Sequence, residues 1–120
     1  MPHSHLPHKE PLIFIGEMIE LQEKLCRFFV HFPSKPTLAM FCEASAQGSS
    51  FFPLFPKRTI GVVSSFRNIK KIGSISETDY ALTIRILHTF NNSYLFHFEA
   101  YNLSNDQIEA SGEISVFYLI

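Results

Sequence analysis

One stretch of this chain reads as a helix, and prolines bracket it. Between Pro36 and Pro53 runs TLAMFCEASAQGSSFF, rich in helix formers, with Leu38, Phe41, Cys42 and Ser45 on one face. Pro33 and Pro36 end the strand pattern before it, because proline fixes φ and removes a backbone donor. A helix over 37–52 follows, with Ser34 or Thr37 as its N-cap and Pro53 as its stop. Ala39, Ala44, Ala46, Gly48, Ser49 and Ser50 are small enough to let other backbone approach closely. A helix wrapped by a curved sheet needs that. Glu43 sits among Phe41, Cys42, Ala44 and Ala46, surroundings in which an ionised carboxylate is poorly solvated.

The rest of the chain reads as strands. Strand-like runs, apolar at first in 12–21 and alternating clearly in places elsewhere, cover 12–21, 24–32, 59–72, 80–90, 93–103 and 107–119. Turn signals separate them at Gln22-Glu23, Gly73-Ser74, Asn91-Asn92 and Asn105-Asp106. Gly16 marks a bend or bulge in the first strand. In the second, Arg27, Phe29 and His31 share one face and Cys26, Phe28, Val30 and Phe32 the other. In the fourth, Tyr80, Leu82, Ile84, Ile86, His88 and Phe90 are expected on a common face, with His88 and His97 as structural or surface imidazoles. The first 11 residues, with their prolines and histidines, read as an irregular arm. The fold class is therefore α+β, a curved antiparallel sheet of five to six strands around one central helix.

Composition excludes several functions. The 120 residues make one domain, 46% hydrophobic and 18% charged, enough for a core without metals or disulfides. A formal net charge of −1 lacks the basic footprint of a nucleic-acid binder, and no aromatic platform accompanies the basic residues. No apolar run approaches the roughly 20 residues needed to span a bilayer, and no secretory leader opens the chain, so the cytoplasm is the default. His3 and His5 lack carboxylate or cysteine partners, so no metal site is expected. Cys26 and Cys42 read as buried, reduced thiols.

Three stretches taken together resemble the hot-dog-fold 3-hydroxyacyl-acyl carrier protein dehydratases, including the compact dehydratase-like proteins of aryl-polyene clusters. They are LPHKEPLIFIGEMIEL at 6–21, HFPSKP at 31–36 followed by EASAQ at 43–47, and the strands IGVVSSFRNIKKIGSISETDYALTI and IEASGEISVFYL. The chain departs from the pattern in a shorter elbow without Pro-Gly before the helix, and in Gly16-Glu17 where Asp-Arg is usual. The resemblance implies a hot-dog fold and dehydration of a 3-hydroxyacyl thioester to its trans-2-enoyl product. That reaction needs a base at C2, an acid for the departing C3 hydroxyl and donors for the thioester oxygen, and no cofactor. It implies His31 as base, Glu43 as acid and the backbone N–H groups near Leu38 and Ala39 as carbonyl donors; Gln47, one turn beyond Glu43, either orients it or stays on the helix surface.

A homodimer is implied too, with His31 of one chain meeting Glu43 of the other. The partner would be acyl carrier protein, for which the basic residues Lys57, Arg58, Arg67, Lys70 and Lys71 form the candidate docking surface. Two alternatives stay open. One is a hot-dog thioesterase in which Glu43 activates water; the other is a non-catalytic partner subunit of a dehydratase.

Overall fold

The computed structural model of the protein describes residues 14–49, 52 and 60–119. Its elements are β1 (Ile15–Leu21), β2 (Leu25–His31), α1 (Leu38–Ser49), β3 (Ile60–Lys71), β4 (Asp79–Phe90), β5 (Ser93–Asn102) and β6 (Ile108–Leu119). The strands form one antiparallel sheet in the order β1-β2-β4-β5-β6-β3. β3, the strand after the helix, thus crosses the whole sheet to its far edge. α1 lies against the sheet and touches every one of its six strands.

Local chemistry sets these limits. Thr37 is the N-cap, its Oγ1 accepting the Met40 N–H at 3.2 Å. The helix buries Phe41, Cys42, Ala44, Ser45, Gly48 and Ser49. Gly48 is where helix and sheet are closest, since a Cβ there would stand 2.6 Å from Ile84 Cδ1. The expected turns are in place: Gly73, Asn91 and Asp106 have φ of 73°, 54° and 58°, the left-handed region that glycine, asparagine and aspartate tolerate best.

The core is aromatic. Phe28, Phe32, Phe41, Phe52, Phe96, Phe98, Tyr80 and Tyr118 are almost fully buried. Phe41 meets Tyr80 edge to face at 5.1 Å, and Phe52 stacks on Phe96 at 5.7 Å, the offset and T-shaped arrangements that ring quadrupoles favour.

One expectation about faces needs correction. Tyr80, Leu82, Ile84 and Ile86 do point into the core, but His88 and Phe90 do not continue that row. The β4–β5 register slips between Ile86 and His88. A bulge of one residue inverts every side chain beyond it, so His88 and Phe90 face solvent. Gly16 lies in a similar irregularity of β1, between Ile15 and Met18, as its sequence context implied. Among the described residues, no helix is long and apolar enough to cross a membrane.

Candidate functional site

His31 ends β2, opposite Asp79 in the last rung of the β2–β4 ladder. Its backbone N–H donates to Phe14 O at 3.0 Å, and the next N–H, of Phe32, donates to Thr78 O at 2.9 Å. The backbone is held from both sides. Alternation sends Cys26, Phe28 and Val30 into the core and the His31 ring to the other face, where 74% of its side chain is exposed. There Nδ1 contacts Oδ1 of Asp79. The pair borders a shallow hollow of about 210 Å³, also lined by Gly16, Phe29, Val30 and Leu103.

Glu43 and Gln47 lie one turn apart on α1, both half-buried. Gln47 Nε2 donates to Glu43 Oε1 at 3.4 Å, while its own Oε1 accepts the Phe14 N–H at 3.0 Å. Gln47 therefore ties the helix carboxylate to the residue that also receives the His31 N–H. At the helix start, Thr37 caps Met40, and the N–H groups of Leu38 and Ala39 have no hydrogen-bond partner among the described residues. Such donors at a helix end favour negative charge.

Among the described residues no hydrogen bond or ion pair joins His31 to Glu43 within one chain; the His31 ring pairs with Asp79. Of the basic residues, Arg67, Lys70 and Lys71 lie on β3. Arg67 Nη2 is paired with Glu113 Oε1 at 3.2 Å, and Lys70 and Lys71 are exposed at the end of β3 beyond the bulge at Asn68, whose φ is 53°. Lys57 and Arg58 lie outside the described residues, as do the arm and its histidines. His97 sits 3.6 Å from Glu99, and no group of His, Cys, Asp and Glu among the described residues could hold a metal.

Two acidic residues that the sequence did not single out are Asp79 and Glu109. Glu109 is only 6% exposed, although it belongs to a strand. The β5–β6 register passes from Ala100↔Ala110 to Tyr101↔Ile108, leaving Glu109 as the extra residue of a bulge and turning it inward. Its carboxylate accepts from Tyr80 OH at 2.7 Å, Asn102 Nδ2 at 2.9 Å, Ser76 N–H at 3.1 Å and Ser76 Oγ at 3.1 Å. Burial alone would raise its pKa, but the hydrogen bonds from Asn102, Tyr80 and Ser76 outweigh it and hold the carboxyl below its ordinary value. Burial, with the bond to Glu109, pushes the Tyr80 phenol up to about 12. This network clamps the 72–78 segment, and hence the start of β4 with Asp79, onto the sheet.

Both thiols are free and buried. Burial pushes Cys26 up to about 12 and Cys42 up to about 11, so neither supplies thiolate near neutrality. Native protein is expected to show no rapidly reacting thiol toward an aromatic disulfide reagent, with both cysteines titrating in denaturant. A fast equivalent in the native state would show that one of them is accessible.

No family model matches the chain, and no curated protein matches it. Solved structures do. A thioesterase family protein from Silicibacter pomeroyi superposes with a TM-score of 0.70 at 10% identity, covering 99% of this chain and 93% of its own. The dehydratase heterocomplex ApeI:P from Xenorhabdus doucetiae gives 0.68 at 12% identity, covering 98% and 90%. A thioesterase enzyme from Staphylococcus aureus gives 0.66 at 14% identity, covering 87% and 93%. At these identities the likeness concerns the fold, which hosts both activities.

Proposed function

We propose that this chain of hot-dog fold dehydrates a 3-hydroxyacyl thioester, carried on acyl carrier protein, to the trans-2-enoyl product. The observation that carries this reading is His31, fixed at a strand end beside the helix elbow with its ring accessible and its Nδ1 engaged by Asp79. Elimination of water needs an imidazole base there; hydrolysis by a helix carboxylate does not. His31 removes the C2 proton, Glu43 protonates the departing hydroxyl, and the Leu38 and Ala39 N–H groups polarise the carbonyl, with Gln47 orienting Glu43.

With no His31–Glu43 hydrogen bond among the described residues of one chain, the reading pairs His31 of one subunit with Glu43 of another in a dimer. Edge strand β3 supports one. Phe66, opposite inward-facing Ile114 and so on the helix side of the sheet, is nevertheless 55% exposed, as an apolar edge awaiting a second sheet would be. A thioesterase is the second reading, favoured by the half-buried Glu43–Gln47 pair and by the thioesterases among the structural neighbours. A partner subunit is the third, consistent with likeness to a heterocomplex.

Incubation of the purified protein with a 3-hydroxyacyl thioester, following enoyl product and free thiol together, separates these readings. Enoyl without thiol supports the dehydratase; thiol alone supports the thioesterase; neither, with binding retained, supports the partner subunit. For docking, Lys70→Glu with Lys71→Glu is expected to weaken turnover of a carrier-bound substrate, more at low salt than at high, because steering between exposed charges is screened over about 10 Å at 0.1 M. Equal loss on a small free thioester would show damage to the fold instead.

A further inference from the structure

We infer that Asp79 is a positioning residue for His31: it holds the imidazole as the Nδ1–H tautomer, so that Nε2 carries the lone pair that takes the substrate proton. This rests on the dehydratase reading for its catalytic consequence, but the tautomer itself does not.

A neutral imidazole has one donor and one acceptor nitrogen, and the partner of one decides the state of the other. A carboxylate only accepts, so Asp79 beside Nδ1 requires a proton there and leaves Nε2 bare. The contact is built in by the fold. His31 and Asp79 are register partners, with backbone bonds on both sides of the rung at 3.0 and 2.9 Å. The residue after Asp79 is Tyr80, buried against Phe32 and Phe41 and tied through its hydroxyl to Glu109 at 2.7 Å. Among the described residues, the others lining the adjoining hollow, Gly16, Phe29, Val30 and Leu103, carry no charge to compete for the ring.

In the reaction Nε2 accepts the C2 proton, the C2–H electrons form the C2–C3 double bond, and the C3–O bond breaks. The hydroxyl leaves as water with the Glu43 proton, and the imidazolium is stabilised by Asp79 until it returns its proton to solvent as Glu43 regains one. Asp79 keeps a charge throughout and accepts no proton. An exposed cross-strand pair contributes little to stability, 57% of the Asp79 side chain being accessible. Replacing it therefore leaves the fold intact and exposes its effect on the ring.

Long-range proton–nitrogen correlation spectra of the full chain, recorded on the neutral imidazole, read the tautomer directly, with His31→Ala identifying the signals. The wild type is expected to show a protonated Nδ1 and a bare Nε2. Asp79→Ala should shift the ring to the mixture of a free imidazole, in which Nε2–H predominates, and Asp79→Glu should largely restore the wild-type pattern. An unchanged ring spectrum in Asp79→Ala overturns the proposal. With 3-hydroxyacyl thioester, Asp79→Ala should lower kcat about 10²-fold with KM little altered, and Asp79→Glu should recover part of it. Undiminished kcat in Asp79→Ala overturns the positioning role. An Asp79-dependent tautomer in a wild-type protein that forms no enoyl product upholds the pair and rejects the dehydratase reading instead.

Discussion

His31→Ala and Glu43→Gln should each lower the dehydration rate by about 10²- to 10⁴-fold, the usual contribution of a positioned base or acid. Substrate should still bind, because the N–H groups at the start of α1 and the walls of the site remain. Stability should change little: the His31 ring is exposed, and Gln is nearly isosteric with Glu at position 43. The decisive step is to mix the two variants. Neither homodimer holds a complete site, but a heterodimer with His31 from one chain and Glu43 from the other holds one. Recovery of a substantial part of wild-type activity after subunit exchange supports the shared site. No recovery in confirmed heterodimers would place both residues in one chain. Activity retained in His31→Ala and lost in Glu43→Gln would point to hydrolysis by the helix carboxylate.

The fold was legible because its determinants are local. Apolar runs, alternation in places and turn residues marked the strands, and the ends agree to about a residue where they can be compared: 93–103 became Ser93–Asn102, and 107–119 became Ile108–Leu119. Gly73, Asn91 and Asp106 are turn residues for a reason visible in any sequence, their tolerance of positive φ. Thr37 capped the helix as its type predicts. What alternation cannot show is where it breaks. The bulges at Leu87 and Glu109 arise from pairing between strands, and each inverts the faces read from one strand alone. His88 and Phe90 were thereby assigned to the wrong face. Glu109, a strand carboxylate that alternation alone does not distinguish, is buried.

The candidate site divides in the same way. His31, Glu43 and Gln47 stood out through the order of short motifs, and the Gln47–Glu43 contact follows from helical spacing. Asp79 did not stand out, because its place beside His31 comes from strand register across 48 positions. Its signal was present only in part. An aspartate opening the strand that pairs with the His31 strand becomes visible once the β2–β4 pairing is known.

Glu109 should have the largest effect on stability of any polar residue described. Glu109→Ala removes the acceptor for Tyr80, Asn102 and Ser76 together, leaving buried donors unpaired at about 1–3 kcal/mol each where water cannot replace the carboxylate. Glu109→Gln keeps the shape but turns an amide NH₂ toward donors, and should destabilise by about 1–3 kcal/mol near neutral pH. The pH dependence identifies the cause. Because the folded carboxyl titrates below its ordinary value, its contribution is complete above the unfolded pKa and is lost as pH falls through the folded one. The gap between wild type and Glu109→Gln, measured by urea unfolding, should therefore be constant from neutrality down to about pH 5 and close progressively below about pH 4. A gap that persists unchanged into acid would mean that the carboxylate charge is irrelevant and that only packing was altered. The same network fixes the backbone of Tyr80, the neighbour of Asp79. At a temperature where Glu109→Gln remains folded, slower dehydration with the His31 tautomer less sharply defined would connect this buried carboxylate to the site through β4, whereas unchanged kinetics would confine its role to the fold.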